Sequence, residues 1–150
     1  MKSFYIFLFC VLSISCSKEN SQNQELESEW AVDEERVTGL LSLFPLVLNP
    51  EFSPISNIQL SDNEIVGVVN LGSEIRVYPY KFIRNVEIIN DVYNGQKYAF
   101  SYCPLTYSSL AFTRESVFRA SGYLYKKNLT PWDESTESIW SQMLIKGIRG

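Results

Sequence analysis

Apolar and polar residues alternate along much of the chain after residue 50. The segment Glu74–Tyr78 places Ile75 and Val77 on one side and polar or aromatic residues on the other, which is the period of a half-buried strand. A β-branched run over residues 64–70 precedes it, and a short glycine-containing break separates the two. This pattern predicts a hairpin that ends at Pro79, because proline cannot donate a hydrogen bond to a strand ladder.

A second hairpin is predicted around Asn94-Gly95, a pair that readily takes positive φ at both positions of a two-residue turn. Residues 88–93 lead into this turn, and residues 96–103 return with tyrosine or phenylalanine at alternate positions. Further strands are predicted at residues 109–113 and 117–120 from their apolar and β-branched content.

Helical patterns are short in this sequence. Residues 80–85 predict one or two turns, and residues 135–143 predict a helical segment with Ile139 and Met143 on one face. Residues 32–44 fit neither period. The sequence therefore predicts a mainly β domain, that is, a β-rich α+β fold, built as one compact unit of antiparallel hairpins with a few short helices.

The N-terminus has the pattern of an export signal. Lys2 precedes an apolar run from Phe4 to Ser15, which is shorter than the roughly 20 residues that a membrane-spanning helix needs. The run ends in Leu12-Ser13-Ile14-Ser15-Cys16, which resembles the signal of bacterial lipoproteins. The resemblance implies cleavage before Cys16 and acylation of that residue; an ordinary signal peptide with an incidental cysteine is the alternative.

Residues 17–29 predict a flexible tether, since they contain no aromatic or β-branched residue and are rich in Ser, Asn, Gln and Glu. The expected organisation is a lipoprotein signal peptide at 1–16, a tether at 17–29 and a single β-rich domain at 30–150. The protein is expected to be exported and held by its lipid at a bacterial membrane, facing the periplasm or the cell surface.

Charge and cysteine content narrow the function further. The net charge is −4 and the only adjacent basic pair is Lys126-Lys127, so nucleic acid is not an expected partner. Of three cysteines, Cys10 would leave with the signal and Cys16 would carry the lipid, which leaves Cys103. An exported chain with one remaining cysteine has no internal disulfide.

Six groups of residues, in the same order along the chain, resemble motifs of a bacterial family known as domain of unknown function 3179. They are Asn49-Pro50-Glu51-Phe52; Arg76-Val77-Tyr78-Pro79; Glu87-Ile88-Ile89-Asn90-Asp91; Ser101-Tyr102-Cys103-Pro104-Leu105; Ser121-Gly122-Tyr123-Leu124-Tyr125; and Asp133, Thr136 and Ser138-Ile139-Trp140-Ser141-Gln142. Relatives in this family continue past the position of Gly150, which suggests a chain shortened at its C-terminus.

Two departures from the family motifs bear on function. Val86 stands where the family has a histidine, and Thr106 stands where it has a second cysteine. One histidine and two cysteines would suit a transition metal or thiol chemistry. The resemblance therefore implies that this chain has lost such a site, and no metal or cofactor is expected.

Five residues are candidates for a ligand site or a vestigial site: Cys103, Tyr102, Thr106, Asp91 and Asp133. Each has a structural alternative. Cys103 would then be a small buried apolar residue at a strand end, Asp91 would bind nearby backbone groups, and Asp133 would cap a helix. The chain contains no histidine to serve as the base of a cysteine nucleophile, so no catalytic residue is expected.

The preferred interpretation is a lipid-anchored, non-catalytic binding module of the cell envelope with a degenerate cysteine site. Some of the many tyrosines and tryptophans would line a groove for a glycan or peptide. The alternatives are a thiol-dependent redox or metal-handling protein that uses Cys103, and a structural envelope protein. Convergence of Val86, Cys103 and Thr106 on a concave surface would indicate a vestigial site, whereas burial in apolar packing would not.

Overall fold

A computed structural model describes residues 29–150. In this part of the chain the strands are β1 Val37–Gly39, β2 Val66–Asn70, β3 Ile75–Pro79, β4 Ile88–Tyr93, β5 Gln96–Cys103, β6 Ser108–Thr113, β7 Phe118–Tyr125, β8 Asn128–Asp133, β9 Ile139–Ser141 and β10 Lys146–Arg149. A short helix, α1, covers Tyr80–Ile83, and 3₁₀ turns cover Glu34–Arg36 and Ile55–Asn57.

The strands form three antiparallel sheets. One has the order β1-β7-β8-β9-β10, the second is the β2-β3 hairpin, and the third has the order β4-β5-β6. The prediction of a mainly β, single compact domain of antiparallel hairpins with short helical segments is confirmed.

Both predicted hairpins are present. β2 pairs with β3 from Val66↔Pro79 to Asn70↔Ile75, and β4 pairs with β5 up to Tyr93↔Gln96. Asn94 and Gly95 have φ of 48° and 80°, as a type I′ turn requires. The local sequence therefore determines both the position and the register of this turn.

The β4-β5-β6 sheet is the middle layer and packs on both faces. Side chains at alternate positions of β5 enter two different cores, Tyr98 and Phe100 on one side and Ala99 and Cys103 on the other. The first core also receives β2, β3 and α1, while the second receives β7 and β8.

Gly67 of β2 lies against the ring of Phe100. A Cβ at this position would be 2.1 Å from Phe100 Cζ, so no side chain fits there while the ring stays in place. The ring is itself stacked on Tyr78, with centroids 4.3 Å apart, and is 2% exposed. The absence of a side chain at 67 is what lets the β2–β3 hairpin approach the middle sheet.

The prediction of a helix at residues 135–143 is wrong. Residues 134–136 form a turn, β9 occupies the middle of the segment, and residues 142–145 form a second turn. Ile139 is buried and pairs with both Trp132 and Arg149, while Met143 is exposed. Pairing on both sides of β9 therefore outweighs the helical spacing of these two residues, since strand partners distant in sequence can override local propensity.

The structure also assigns the N-terminal segment whose pattern fitted neither period and the short helix predicted after β3. Residues 32–44 contain a 3₁₀ turn and β1, and the helix predicted at 80–85 is present as α1. The predicted signal peptide, Cys16 and the tether up to residue 28 lie outside the described residues. Within residues 29–150, no helix is both long enough and apolar enough to cross a membrane.

Candidate functional site

Asp91 lies at the centre of a buried polar cluster on one face of β4. Its Oδ2 accepts hydrogen bonds from the hydroxyls of Tyr98 at 2.6 Å and Tyr78 at 3.1 Å and forms an ion pair with Arg76 Nη1. Its Oδ1 accepts the backbone N–H of Val92 at 2.7 Å. Both carboxylate oxygens are therefore occupied by donors within the protein.

Arg76 is enclosed by the same cluster. Its Nε donates to Glu74 Oε1 at 2.7 Å, and its guanidinium lies over the ring of Phe52 at 4.5 Å from the centroid. Burial alone would raise the pKa of Asp91, but hydrogen bonds from Arg76, Tyr98 and the Val92 N–H hold that pKa below its ordinary value. The carboxylate is thus charged and held by four donors, an arrangement that joins β3 to β4 and β5 and commits both of its oxygens to contacts within the protein.

Burial sets the protonation of the two tyrosines in this cluster. It raises the pKa of Tyr78 far above the ordinary value, with further contributions from Tyr98 and Asp91. The pKa of Tyr98 is also raised, again mainly by burial. Both hydroxyls therefore keep their protons at neutral pH and act as donors to the carboxylate.

Asn90 occupies the opposite face of β4, one residue before Asp91. It is fully buried, its Nδ2 donates to the carbonyls of Phe118 at 2.8 Å and Val47 at 3.2 Å, and its Oδ1 accepts the Phe118 N–H at 2.9 Å. The adjacent Asn-Asp pair therefore connects the middle sheet to both of its neighbours. Sequence reasoning placed the interest on Asp91 alone, although the alternation of a strand already assigns the two side chains to opposite faces.

Cys103 is buried in apolar packing. It is 1% exposed and lies in the core that contains Ile88, Phe118 and Leu129. Free cysteine commonly behaves as a small apolar residue in such surroundings. The thiol therefore has no opening toward a solvent-borne substrate.

The structure does not bring Val86, Cys103 and Thr106 together on a concave surface. Val86 packs on the core at the other face of the middle sheet, and the next residue, Glu87, has a φ of 62° just before β4 begins. Thr106 is exposed in the β5–β6 turn, where its hydroxyl contacts Ser108 at 2.9 Å. Tyr102 is buried and stacks on Tyr80 at 3.7 Å.

Alkylation should test the burial of Cys103 directly. With N-ethylmaleimide added to the folded chain, modification of Cys103, followed by peptide mass mapping, should be about a hundredfold or more slower than in concentrated guanidinium chloride, because the thiol must wait for an opening reaction. The exposed neighbour supplies the control, since a thiol introduced by Leu105→Cys should react at the rate of a free cysteine. Equal rates at the two positions in the folded chain would contradict the buried position.

Glu87 is the one carboxyl in this region whose protonation changes near neutral pH. The side chain is half-buried, and burial raises its pKa to about 7. A raised pKa means that folding penalises the charged form. The penalty is absent below the ordinary glutamate pKa of about 4.3, which the unfolded chain keeps, grows between that pH and about 7, and is complete above about 7.

Replacing Glu87 with glutamine should therefore stabilise the protein by an amount that grows between about pH 4.3 and 7 and is largest above that range. Urea unfolding of Glu87→Gln should give a free energy of unfolding about 1–2 kcal/mol above wild type at pH 8.5 and about the same value as wild type at pH 4, allowing for screening of a partly exposed group. The exposed Glu115→Gln is the matched control and should show no difference at either pH. A gain at pH 4 as large as at pH 8.5 would rule out ionisation as the cause.

A buried polar chain links three turns at one end of the domain. Gln142 is 2% exposed, donates to Ser101 Oγ at 3.0 Å and accepts from Ser108 Oγ at 2.9 Å. Asn128 Nδ2 donates to Thr106 Oγ1 and to Ser108 Oγ, each at 2.8 Å. Sequence reasoning missed these contacts, because the residues are far apart along the chain and no local pattern marks them.

A cleft of about 600 Å³ lies between the edge strand β6 and the β8–β9 hairpin. Its apolar lining consists of Leu110, Phe112, Phe118, Pro131, Trp140 and Ile145. The volume lies within the range of small-molecule sites, about 300–1,000 Å³. A cleft of this size and composition can hold an apolar or aromatic group.

Asp133, Arg114 and Glu115 supply the charges at the cleft, and the first two are engaged within the protein. Asp133 Oδ1 accepts the N–H of Ser135 at 2.9 Å and its hydroxyl at 2.8 Å, so that the carboxylate closes a turn and not the predicted helix. Arg114 donates to the carbonyls of Tyr98 and Ser116, each at 3.0 Å. Two of the three charged side chains are thus bonded within the protein, and most of the wall is apolar, so apolar contact is the main means of recognition.

No metal site is visible in the part of the chain that the structure describes. Within residues 29–150, no three or more side chains of His, Cys, Asp and Glu are grouped so that they could hold an ion.

Comparison with known proteins gives one result. A family profile described as "Protein of unknown function (DUF3179)" matches residues 42–150. No curated protein and no solved structure matches the chain.

Proposed function

The chain belongs to the DUF3179 family, and from that premise we propose that it is a non-catalytic binding module of the bacterial cell envelope, held at a membrane by a lipid on Cys16. The observation that carries the proposal is the apolar cleft between β6 and the β8–β9 hairpin. Pockets of this size with mainly apolar walls and few polar groups are the usual sites of small-molecule binding.

The candidate reactive groups support binding over catalysis. The Cys103 thiol is buried, the oxygens of Asp91 are occupied by Tyr78, Tyr98, Arg76 and the Val92 N–H, and Asp133 holds Ser135. A nucleophile or general base needs access to the substrate and a base or proton acceptor in reach. Thiol chemistry and metal handling by Cys103 therefore have less support than binding of an apolar group.

The cleft can be tested with N-phenyl-1-naphthylamine, an apolar dye whose fluorescence increases away from water. We expect the full chain, in buffer without detergent, to enhance the emission of the dye. Leu110→Arg should weaken binding about tenfold or more, because it would bring a charge into the apolar wall. Ala111→Arg is the matched control, since that side chain lies on the opposite, exposed side of β6. Equal binding by both variants, or no binding by wild type, would contradict the proposal and favour a structural role.

Lipid attachment needs a separate test. The chain expressed with radioactive palmitate in a bacterial host should incorporate label, and Cys16→Ser should abolish it. Export without any incorporation would support the alternative of an ordinary signal peptide with an incidental cysteine.

A further inference from the structure

Three turns meet at one end of the domain, and we call them the three-turn end: residues 104–107, 126–127 and 142–145. Asn128, directly after the second turn, bonds to Thr106 in the first turn, and Ser108 bonds to Gln142 in the third. These contacts hold the tips side by side, so their exposed residues form one surface.

The three-turn end is unusually apolar for a set of hairpin tips. Leu105 and Tyr107 in the first turn are 63% and 67% exposed, and Met143, Leu144 and Ile145 in the third are 62%, 52% and 66% exposed. Turns normally hold Gly, Asn, Asp, Ser or Pro. A continuous exposed apolar patch on an otherwise folded domain indicates an interaction surface.

Backbone strain at the same residues supports a role in interaction. Tyr107, Lys126, Lys127 and Ile145 have φ of 54°, 50°, 64° and 52°, a region that glycine or asparagine enters far more easily. For the β-branched Ile145 such a φ is a genuine outlier. Strained positions of this kind cluster at functional surfaces, and here each one displays an apolar or a cationic side chain.

The charge of the three-turn end favours an anionic partner. Lys126, Lys127 and Lys146 border the apolar tips, and residues 104–108, 126–128 and 142–147 contain no Asp or Glu although the whole chain carries a net charge of −4. Asp33, Glu34 and Glu35 precede β1 and adjoin the second turn, where the Lys126 N–H donates to the Arg36 carbonyl at 2.9 Å. Asp33 is paired with Arg36, so the bases of this end, with Arg36 counted, still outnumber its acids by four to three. Apolar side chains ringed by lysines match the boundary between acyl chains and anionic headgroups.

We propose that the three-turn end docks on an anionic lipid bilayer, with Leu105, Met143 and Leu144 entering the acyl boundary and the lysines contacting lipid phosphates. The inference rests on the membrane location in the proposed function. Lysines near an anionic surface each strengthen binding about fivefold. The twelve residues between Cys16 and Glu29 would span about 20 Å as a random coil, and β10 brings the chain's entry at Trp30 to within about 13 Å of the third turn.

An environment-sensitive NBD fluorophore on Leu144→Cys tests the docking. The full chain, purified in detergent from bacterial membranes, is reconstituted into vesicles of phosphatidylcholine with or without phosphatidylglycerol. We expect emission from position 144 to shift to the blue and increase several-fold on the anionic vesicles. The probe on Val68→Cys, which is equally exposed on β2, should stay in water, and the unsubstituted chain carried through labelling gives the background of the native cysteines.

Two further variants separate docking from folding. Lys126→Glu with Lys127→Glu should lower the ratio of docked to undocked probe about tenfold or more. Ile145→Asn removes an apolar tip residue but suits the left-handed backbone, so it should weaken docking while the midpoint of urea unfolding stays equal or rises. If docking is unchanged in both variants, the proposal is wrong.

Sedimentation of the vesicles measures whether the lipid anchor holds the chain on the membrane, independently of the fluorescent probe. A chain that sediments while the probe at 144 stays in water overturns docking and leaves the anchor on Cys16 intact. A chain that neither sediments nor shifts its emission overturns both. A blue shift that requires a high protein concentration and no lipid would show self-association of the tips and would also overturn the proposal.

Discussion

Asp91→Ala is expected to lower the free energy of unfolding by about 3–5 kcal/mol, the range found when one partner of a buried ion pair is removed. The substitution would leave the largely enclosed Arg76 without its main counter-charge and would take the acceptor from the hydroxyls of Tyr78 and Tyr98. Urea unfolding followed by tryptophan fluorescence measures the effect.

The control for this prediction is an ion pair at the surface. Asp33 pairs with Arg36 at 2.8 Å with both side chains more than half exposed, so Asp33→Ala should cost less than about 1 kcal/mol. A comparable loss from the two alanine variants would show that the buried cluster contributes little.

The stability difference at Asp91 should also depend on pH in one direction. The pKa of Asp91 is lowered in the folded protein, so its contribution is complete above the unfolded pKa of about 3.9 and is lost as the pH falls through the folded value. The gap between wild type and Asp91→Ala should therefore narrow in acid. A gap that widened in acid would contradict the assigned charge.

Asn90→Ala is expected to cost about 2–4 kcal/mol, since it leaves the N–H and C=O of Phe118 without their side-chain partner in a buried position. Hydrogen bonds between side chain and backbone are the direct link here between β4 and β7, so the loss falls on the contact between two sheets. The same urea measurement applies.

Two substitutions make this prediction specific. Asn90→Asp keeps the shape and still accepts the Phe118 N–H, but it sets a carboxylate oxygen against the carbonyls of Phe118 and Val47, so it should be at least as damaging as alanine. Asn85→Ala, at an exposed position, should be nearly neutral. A stable Asn90→Asp would show that the two carbonyl contacts matter little.

The strand pattern was predictable where it depends on neighbouring residues. Asn94-Gly95 sets the turn between β4 and β5 through its own backbone preference. The alternation of aromatic and smaller residues on β5 assigns the two sets to opposite faces of the sheet. The helix prediction for residues 135–143 failed because Ile139 pairs with Trp132 and Arg149 in a sheet. Which of two periods wins in so short a segment depends on pairing that local spacing does not encode.

The sequence identified residues at central positions of the fold, but it did not predict the role of each one. Cys103 and Asp91 do occupy central positions, but burial and bonding partners decide what each side chain can do. Val86 packs on the other core, directly before a residue with positive φ, and no motif comparison reveals that placement. The chain from Asn128 through Ser108 to Gln142 joins three separate hairpins, and only the tertiary fold brings these residues into contact.

The contact between Gly67 and Phe100 has a consequence for sequence divergence. The ring fills the space that a methyl group at 67 would need, so the two positions share one fixed volume. Enlargement of residue 67 is tolerated only with a smaller side chain at 100, which in turn unstacks Tyr78. In any lineage that keeps this arrangement, positions 67 and 100 are expected to vary as a correlated pair. A substitution at only one of the two positions should be rare.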